Sequence, residues 1–131
     1  MKSLFSILFL SILFFINSCT YSIDTFSIAD YDINPNTREN VSVAAQRLIN
    51  DLQNRTDTAH INVIFPKGTY HFYEDSAFVR EYYISNHDQD NPKKVGLALE
   101  NLKNITIDGM GSTFIFHGRM IPISMLNSEN I

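Results

Sequence analysis

An apolar, small, apolar triplet, Leu97-Ala98-Leu99, returns 26 positions later as Ile123-Ser124-Met125, and Asn104-Ile105 returns at the same spacing as Asn130-Ile131. A period in this range, carried by short strands and Asn or Gly turns, is the mark of coils stacked into a β-solenoid. Two copies also arise when unrelated short strands align by chance, so the repeat is a reading to test. Its physical logic is definite. Each coil exposes apolar edges until another stacks on it, so the first coil needs a cap.

The chain supplies a candidate for that cap. Val41, Ala44, Ala45, Leu48, Ile49 and Leu52 fall at i, i+3, i+4, i+7, i+8 and i+11, a single apolar stripe on an α-helix. Asn36 with Glu39, or Asn40 directly before Val41, can provide the N-cap, and the polar Asn54-Arg55-Thr56-Asp57 closes the helix. Set over the end coil, it would bury its stripe and block edge-to-edge association.

From Ile61 the period falls to two. Ile61, Val63 and Phe65 alternate with Asn62 and Ile64, and Pro66-Lys67-Gly68 makes a turn before the β-prone run Thr69–Tyr73. Short strands are expected again at Val95–Leu99, Ile105–Ile107 and Thr113–Phe116, divided by Asn101 and by Asp108-Gly109-Met110-Gly111-Ser112. Between them, Ser85–Lys94 has no periodicity and reads as a long loop, which is uncommon without a function.

The first residues are of another kind. Lys2 precedes Leu4–Ile16, thirteen residues of which only Ser6 and Ser11 are not apolar. As a helix this core reaches roughly 20 Å, short of a ~30 Å hydrocarbon layer. A charged start, a short apolar core and small residues at its end describe a secretory signal, and an uncleaved anchor is the alternative. Ile16-Asn17-Ser18-Cys19 resembles a bacterial lipobox, in which cleavage leaves the Cys at the new N-terminus to carry acyl chains. The expected organisation is a lipoprotein signal peptide at 1–18, a tether at 19–28 and the folded part at 29–131. The chain is then an exported bacterial membrane lipoprotein, periplasmic or at the cell surface, held to the membrane through Cys19.

Composition narrows the partners. Ten Lys and Arg against 14 Asp and Glu give 131 residues a net charge of −4, so the basic face that nucleic acid needs is not expected. One Cys excludes an internal disulfide or a cysteine-based zinc site. No phosphate loop, serine elbow or cofactor fingerprint is present, and neither a cofactor nor a metal is expected.

Two patterns carry a family resemblance. The helix followed by Val63-Ile64-Phe65-Pro66-Lys67-Gly68-Thr69-Tyr70 resembles the opening of pectin-lyase-like right-handed parallel β-helix proteins. More narrowly, Arg80–Gly96, with its His87-Asp88-Gln89-Asp90-Asn91-Pro92 core, and Phe116-His117-Gly118-Arg119-Met120 resemble the N-terminal region of glycoside hydrolase family 110. The resemblance runs from about Ala29 to Ile131. It implies an all-β right-handed parallel β-helix, of which this chain holds the capping helix and first coils. It also implies an exo-acting bacterial α-1,3-galactosidase, inverting, that takes terminal galactose from blood-group-B-type and linear α-1,3-galactosyl glycans. Such enzymes are much longer and their catalytic carboxylates are expected in later coils, so this segment is expected to be inactive alone and to hold none. The alternative is a non-catalytic, lipid-anchored glycan-binding or surface β-helix protein.

Several residues are candidates for contact with a carbohydrate. Asp88 and Asp90, two apart, would place their Cα atoms about 6.6 Å from each other on an extended backbone. That is near the spacing of an inverting acid–base pair, but two carboxylates on one loop rarely flank a sugar bond from opposite faces. Lining a glycan subsite, together with His87, or capping the loop by hydrogen bonds are the other readings. His117 and Arg119 alternate at a strand end, where a donor pair suits sugar hydroxyls or merely closes the strand. Tyr70, Phe72, Tyr73, Phe78, Tyr82 and Tyr83 are expected in the core more than on a sugar ring.

Overall fold

The computed structural model describes residues 23–57, 59–85 and 90–131. The signal segment, Cys19, His87 and Asp88 lie outside the described residues. The described chain is mostly β with one α-helix, in the order β1 (Asp24–Ser27), α1 (Ser42–Gln53), β2 (Ile61–Ile64), β3 (Thr69–Tyr73), β4 (Phe78–Arg80), β5 (Lys93–Glu100), β6 (Ile105–Asp108), β7 (Thr113–His117) and β8 (Ile121–Leu126). Short 3-10 turns at Ile28–Tyr31 and Glu74–Ser76 follow β1 and β3.

Three open sheets form, ordered β1-β2-β6, β3-β7 and β4-β5-β8. All pairings are parallel except β4 with β5, which is antiparallel. The 26-position repeat is a ladder: Leu97, Ala98 and Leu99 pair with Ile123, Ser124 and Met125. Turn chemistry repeats with it. Asn101 and Asn104 adopt left-handed backbone (φ 53° and 56°), as do Asn127 and Asn130 (51° and 56°), a conformation Asn tolerates better than most residues. Asn130 Nδ2 donates to Asn104 Oδ1 at 2.9 Å, one layer onto the next.

A second offset is larger. Ile61 pairs with Ile105 and Thr69 with Thr113, so β2-turn-β3 is laid against β6-turn-β7 at 44 positions. The lower layer therefore holds eighteen more residues than the upper, the difference between 44 and 26, and they fall between β3 and β5. Part of this insertion is β4, three residues that the sequence analysis leaves unassigned. β5 begins at Lys93, inside the expected loop.

The alternation of β2 and β3 points Ile61, Val63, Tyr70 and Phe72 inward, all but fully buried. Aromatic rings pack between layers: Phe72 stacks on Phe116 with centroids 4.7 Å apart, and Phe65 meets Phe114 at 4.9 Å with its plane tilted by 56°. Of the aromatic set, Tyr70, Phe72 and Phe78 are core, Tyr73 and Tyr82 half-buried, and Tyr83 90% exposed.

The α1 stripe is buried as the spacing predicts, from Val41 and Ala44 to Leu52. The N-cap position falls on Val41, whose side chain cannot cap, while Asn40 Oδ1 just before it accepts from the N–H of Ser42, the first residue of the helix, at 2.9 Å. The buried Ser42 hydroxyl accepts from Tyr73 N–H and donates to Tyr73 C=O, and Gln53 Nε2 donates to Glu100 C=O at 2.9 Å. These bonds fix the helix to β3 and β5. One expectation is corrected: Asp24–Ser27, assigned above to the tether, forms β1 and pairs with β2. Arg55 explains this, since its guanidinium lies 5.5 Å over the Phe26 ring and pairs with Asp24 at 3.1 Å, tying β1 to the end of α1. Pairing with Asp57 as well lowers that carboxyl below its usual range, the Arg55 hydrogen bond being the main cause.

Candidate functional site

The insertion builds a cleft. Glu74 leaves the end of β3, Asp90 and Pro92 lead into β5 and its first residues Lys93 and Lys94, and Gly118–Met120 cross from β7 to Ile121 and Pro122 at the start of β8 on the far wall. The cleft encloses about 600 Å³, within the range of small-ligand sites.

Its walls are held by specific contacts. Glu74 Oε2 accepts from the backbone N–H of Arg119 at 2.6 Å. That carboxylate lies against Gly118, where a Cβ would come within 2.4 Å of Oε2, and Gly118 itself sits at φ +92°. The backbone thus favours glycine there, and a Cβ would in addition push the Glu74 carboxylate from its place against the Arg119 N–H. On the opposite wall the buried Lys93 donates through Nζ to Asp90 C=O at 2.9 Å, and Tyr82 N–H donates to Asn91 Oδ1 at 3.1 Å. The Asn91–Pro92 peptide is cis. The cleft thus presents two carboxylates, Glu74 and Asp90, with Lys94 and Arg119 as donors. An uncharged ligand rich in hydroxyls meets both acceptors and donors in such a site.

Of the residues singled out in the sequence, Asp90 and Arg119 meet at this cleft. His117 does not line it; it closes β7 with its ring on Tyr73 (centroids 4.3 Å, planes 8° apart) and bonds to His71. Tyr73 and His117 are register partners, which places them on one face. Glu74, Lys94 and His71 are site residues or neighbours that sequence reasoning passed over. The available signal was the match of Thr69-Tyr70-His71-Phe72 to Thr113-Phe114-Ile115-Phe116, which sets Tyr73-Glu74 beside His117-Gly118.

A second polar group lies apart from the cleft lining. The buried Glu100 pairs with Arg80 Nε at 2.8 Å and accepts from the Tyr82 hydroxyl, which also lies 2.9 Å from Ser124 Oγ. Burial raises the Tyr82 phenol above its ordinary value, and its bond to Glu100 adds to the rise. This network straps the segment after β4 across β5 to β8. Among the described residues no three His, Cys, Asp or Glu side chains gather as a metal set, and no helix is long and apolar enough to cross a membrane.

The fold and site define a mostly-β chain with a mixed-charge cleft of about 600 Å³. Comparison with known proteins adds relatives that share one activity in their names. The chain is 50% identical over 106 residues to alpha-1,3-galactosidase B of Bacteroides fragilis, 80% of this chain and 18% of that protein. It is 48% identical over 106 residues to alpha-1,3-galactosidase B of Phocaeicola vulgatus, with the same coverage, 80% and 18%. It is 34% identical over 129 residues to that of Bacteroides thetaiotaomicron, 98% of this chain and 20% of the relative. The chain thus spans about a fifth of the length of the curated relatives it matches. No family model matches the sequence.

Proposed function

We propose that this chain is the N-terminal part of an exported, lipid-anchored glycoside hydrolase of family 110, which removes terminal α-1,3-linked galactose by inversion. The observation that carries this reading is the 50% identity, over 80% of the chain, to a protein named alpha-1,3-galactosidase B. In support of the fold, layers of parallel strands repeat at 44 and 26 positions with α1 packed on β3 and β5, as in the first coils of a right-handed parallel β-helix. The sites of bond cleavage lie on this reading in later coils, and this segment is inactive alone. Its own part is to start the stack and to supply one wall of the glycan cleft through Asp90, Arg119 and Glu74, with His117 beside that wall and His87 and Asp88 as further candidates for contact with the glycan. Residues 1–18 direct export, and Cys19 carries the acyl chains.

The test uses an α-1,3-galactosyl disaccharide. Asp90→Ala and Arg119→Ala in the whole protein should each raise KM about tenfold or more, the scale of a hydrogen bond to a charged group. Galactose should appear first as the β-anomer. Unchanged KM in both variants refutes the cleft as a sugar site, and sugar binding without release favours the non-catalytic glycan-binding reading. Radiolabelled palmitate should enter the chain and be lost with Cys19→Ser.

A further inference from the structure

His71 and His117 form a contact of an unusual kind. Their ring planes are within 15° of each other, the centroids are 5.0 Å apart, and His71 Nδ1 lies 2.7 Å from His117 Nε2. Parallel rings packed face to face cannot bring two nitrogens that close. The imidazoles therefore meet edge to edge, in plane, along an N–H···N hydrogen bond. His117 is covered on its face by Tyr73, and both histidines are half-buried.

An N–H···N bond needs one hydrogen between two nitrogens. The neutral pair has it, whichever ring donates, and so does the pair carrying one extra proton. A second extra proton leaves both facing nitrogens with a hydrogen, and the bond is replaced by repulsion between two cations. The pair also stands at a junction. Tyr73 is followed by Glu74 and His117 by Gly118 and Arg119, and Glu74 Oε2 holds the Arg119 N–H at 2.6 Å. Tyr73, Glu74 and Arg119 are the titratable and charged groups flanking the pair along β3, its following turn and the exit of β7. On the other side of β3, the neutral Asn40 bridges to His71, with Glu39 beside it in sequence.

We propose that His71 and His117 form a proton-sensitive clamp that sets the Glu74–Arg119 wall of the cleft. It is closed while the pair holds at most one extra proton, and it opens on full protonation. Only its consequence for a bound glycan rests on the function proposed above.

The experiment follows the isotope-labelled chain by NMR from about pH 8 to about pH 5, the span in which imidazoles take up protons. The ring nitrogens report protonation, and the amides of Glu74, Gly118 and Arg119 report the wall. Those amides should shift together with the second imidazole protonation. The Arg119 amide should exchange about tenfold faster relative to its intrinsic rate, the scale of one lost hydrogen bond. In His117→Gln and in His71→Asn the acid-induced shifts should vanish. The clamp is overturned when both rings protonate and the three amides stay unmoved, or when both variants keep the same acid transition. An acid transition in a chain that binds no disaccharide upholds the clamp, and the sugar reading is decided separately by the KM of the Asp90→Ala and Arg119→Ala variants of the whole protein.

Discussion

Gly96 offers a direct test of how tightly successive layers are fitted. It lies in β5, and a Cβ added there would fall 2.5 Å and 2.8 Å from Cε1 and Cδ1 of Phe116, and 2.8 Å from the carbonyl oxygen of Pro122. Its φ is not in the left-handed region, so the cost of Gly96→Ala is one of space, without backbone strain. Two obstacles differ in kind. The Phe116 ring is pinned against Phe72 at 4.7 Å, and the Pro122 oxygen belongs to the strand above, which cannot retreat without loosening β8.

Overfilling a packed interior costs roughly 1–3 kcal/mol. The expectation is about 2 kcal/mol, or on the order of 10 °C in Tm for a chain of this size. Phe116→Ala removes one obstacle and leaves the other. Gly96→Ala should therefore cost about 1 kcal/mol less in the Phe116→Ala background than in the native one, a coupling typical of touching residues. Because the chain has no Trp, urea unfolding is followed by circular dichroism. A neutral Gly96→Ala, or an equal cost in both backgrounds, would refute the claim that the Phe116 layer closes on Gly96.

Three further expectations follow from single contacts. Gly118→Ala should destabilise by about 1–3 kcal/mol through its φ of +92°, and by less in a Glu74→Ala background, where the overlap is gone and the backbone strain stays; urea midpoints decide it. Asn104→Val, which puts a β-branched residue at φ 56°, should cost about 1 kcal/mol more than Asn104→Gly, read as the difference between their melts. Tyr31 is pushed up to about 12, by burial first and then by its hydrogen bond to Asp51. A raised value in the fold favours the neutral phenol, so its stabilisation is whole below the ordinary phenol value of 10.0 and is lost as pH climbs from there to about 12. Melting temperatures across that window should fall less steeply in Tyr31→Phe, and identical slopes would refute the assignment.

What was legible in the sequence depended on what each residue could announce alone. The α1 stripe declares itself because six apolar residues share one face. The 26-position ladder shows because both strands and both Asn turns recur without interruption. β1 gave no such sign: four residues with one aromatic pair with β2, and Arg55, 31 positions from Asp24, ties them to the end of α1. β4 is as brief, and its Arg80 is held by Glu100, a partner that no local pattern reveals.

The 44-position repeat is a different case, since its residues are plain enough. Thr69-Tyr70-His71-Phe72 and Thr113-Phe114-Ile115-Phe116 pair one to one, yet a search for a single period misses them because eighteen residues enter between β3 and β5 in the lower layer alone. Those same residues make the cleft. Glu74 opens the insertion, while Asp90, Pro92 and Lys93 stand where it rejoins the ladder. A stacked layer is bound by its neighbours to keep its strands in register, and chemistry is free to enter where the register is suspended. The irregularity that hid the repeat and the cleft that gathers Asp90 and Arg119 thus share one cause. The site of such a chain is to be sought where its period breaks.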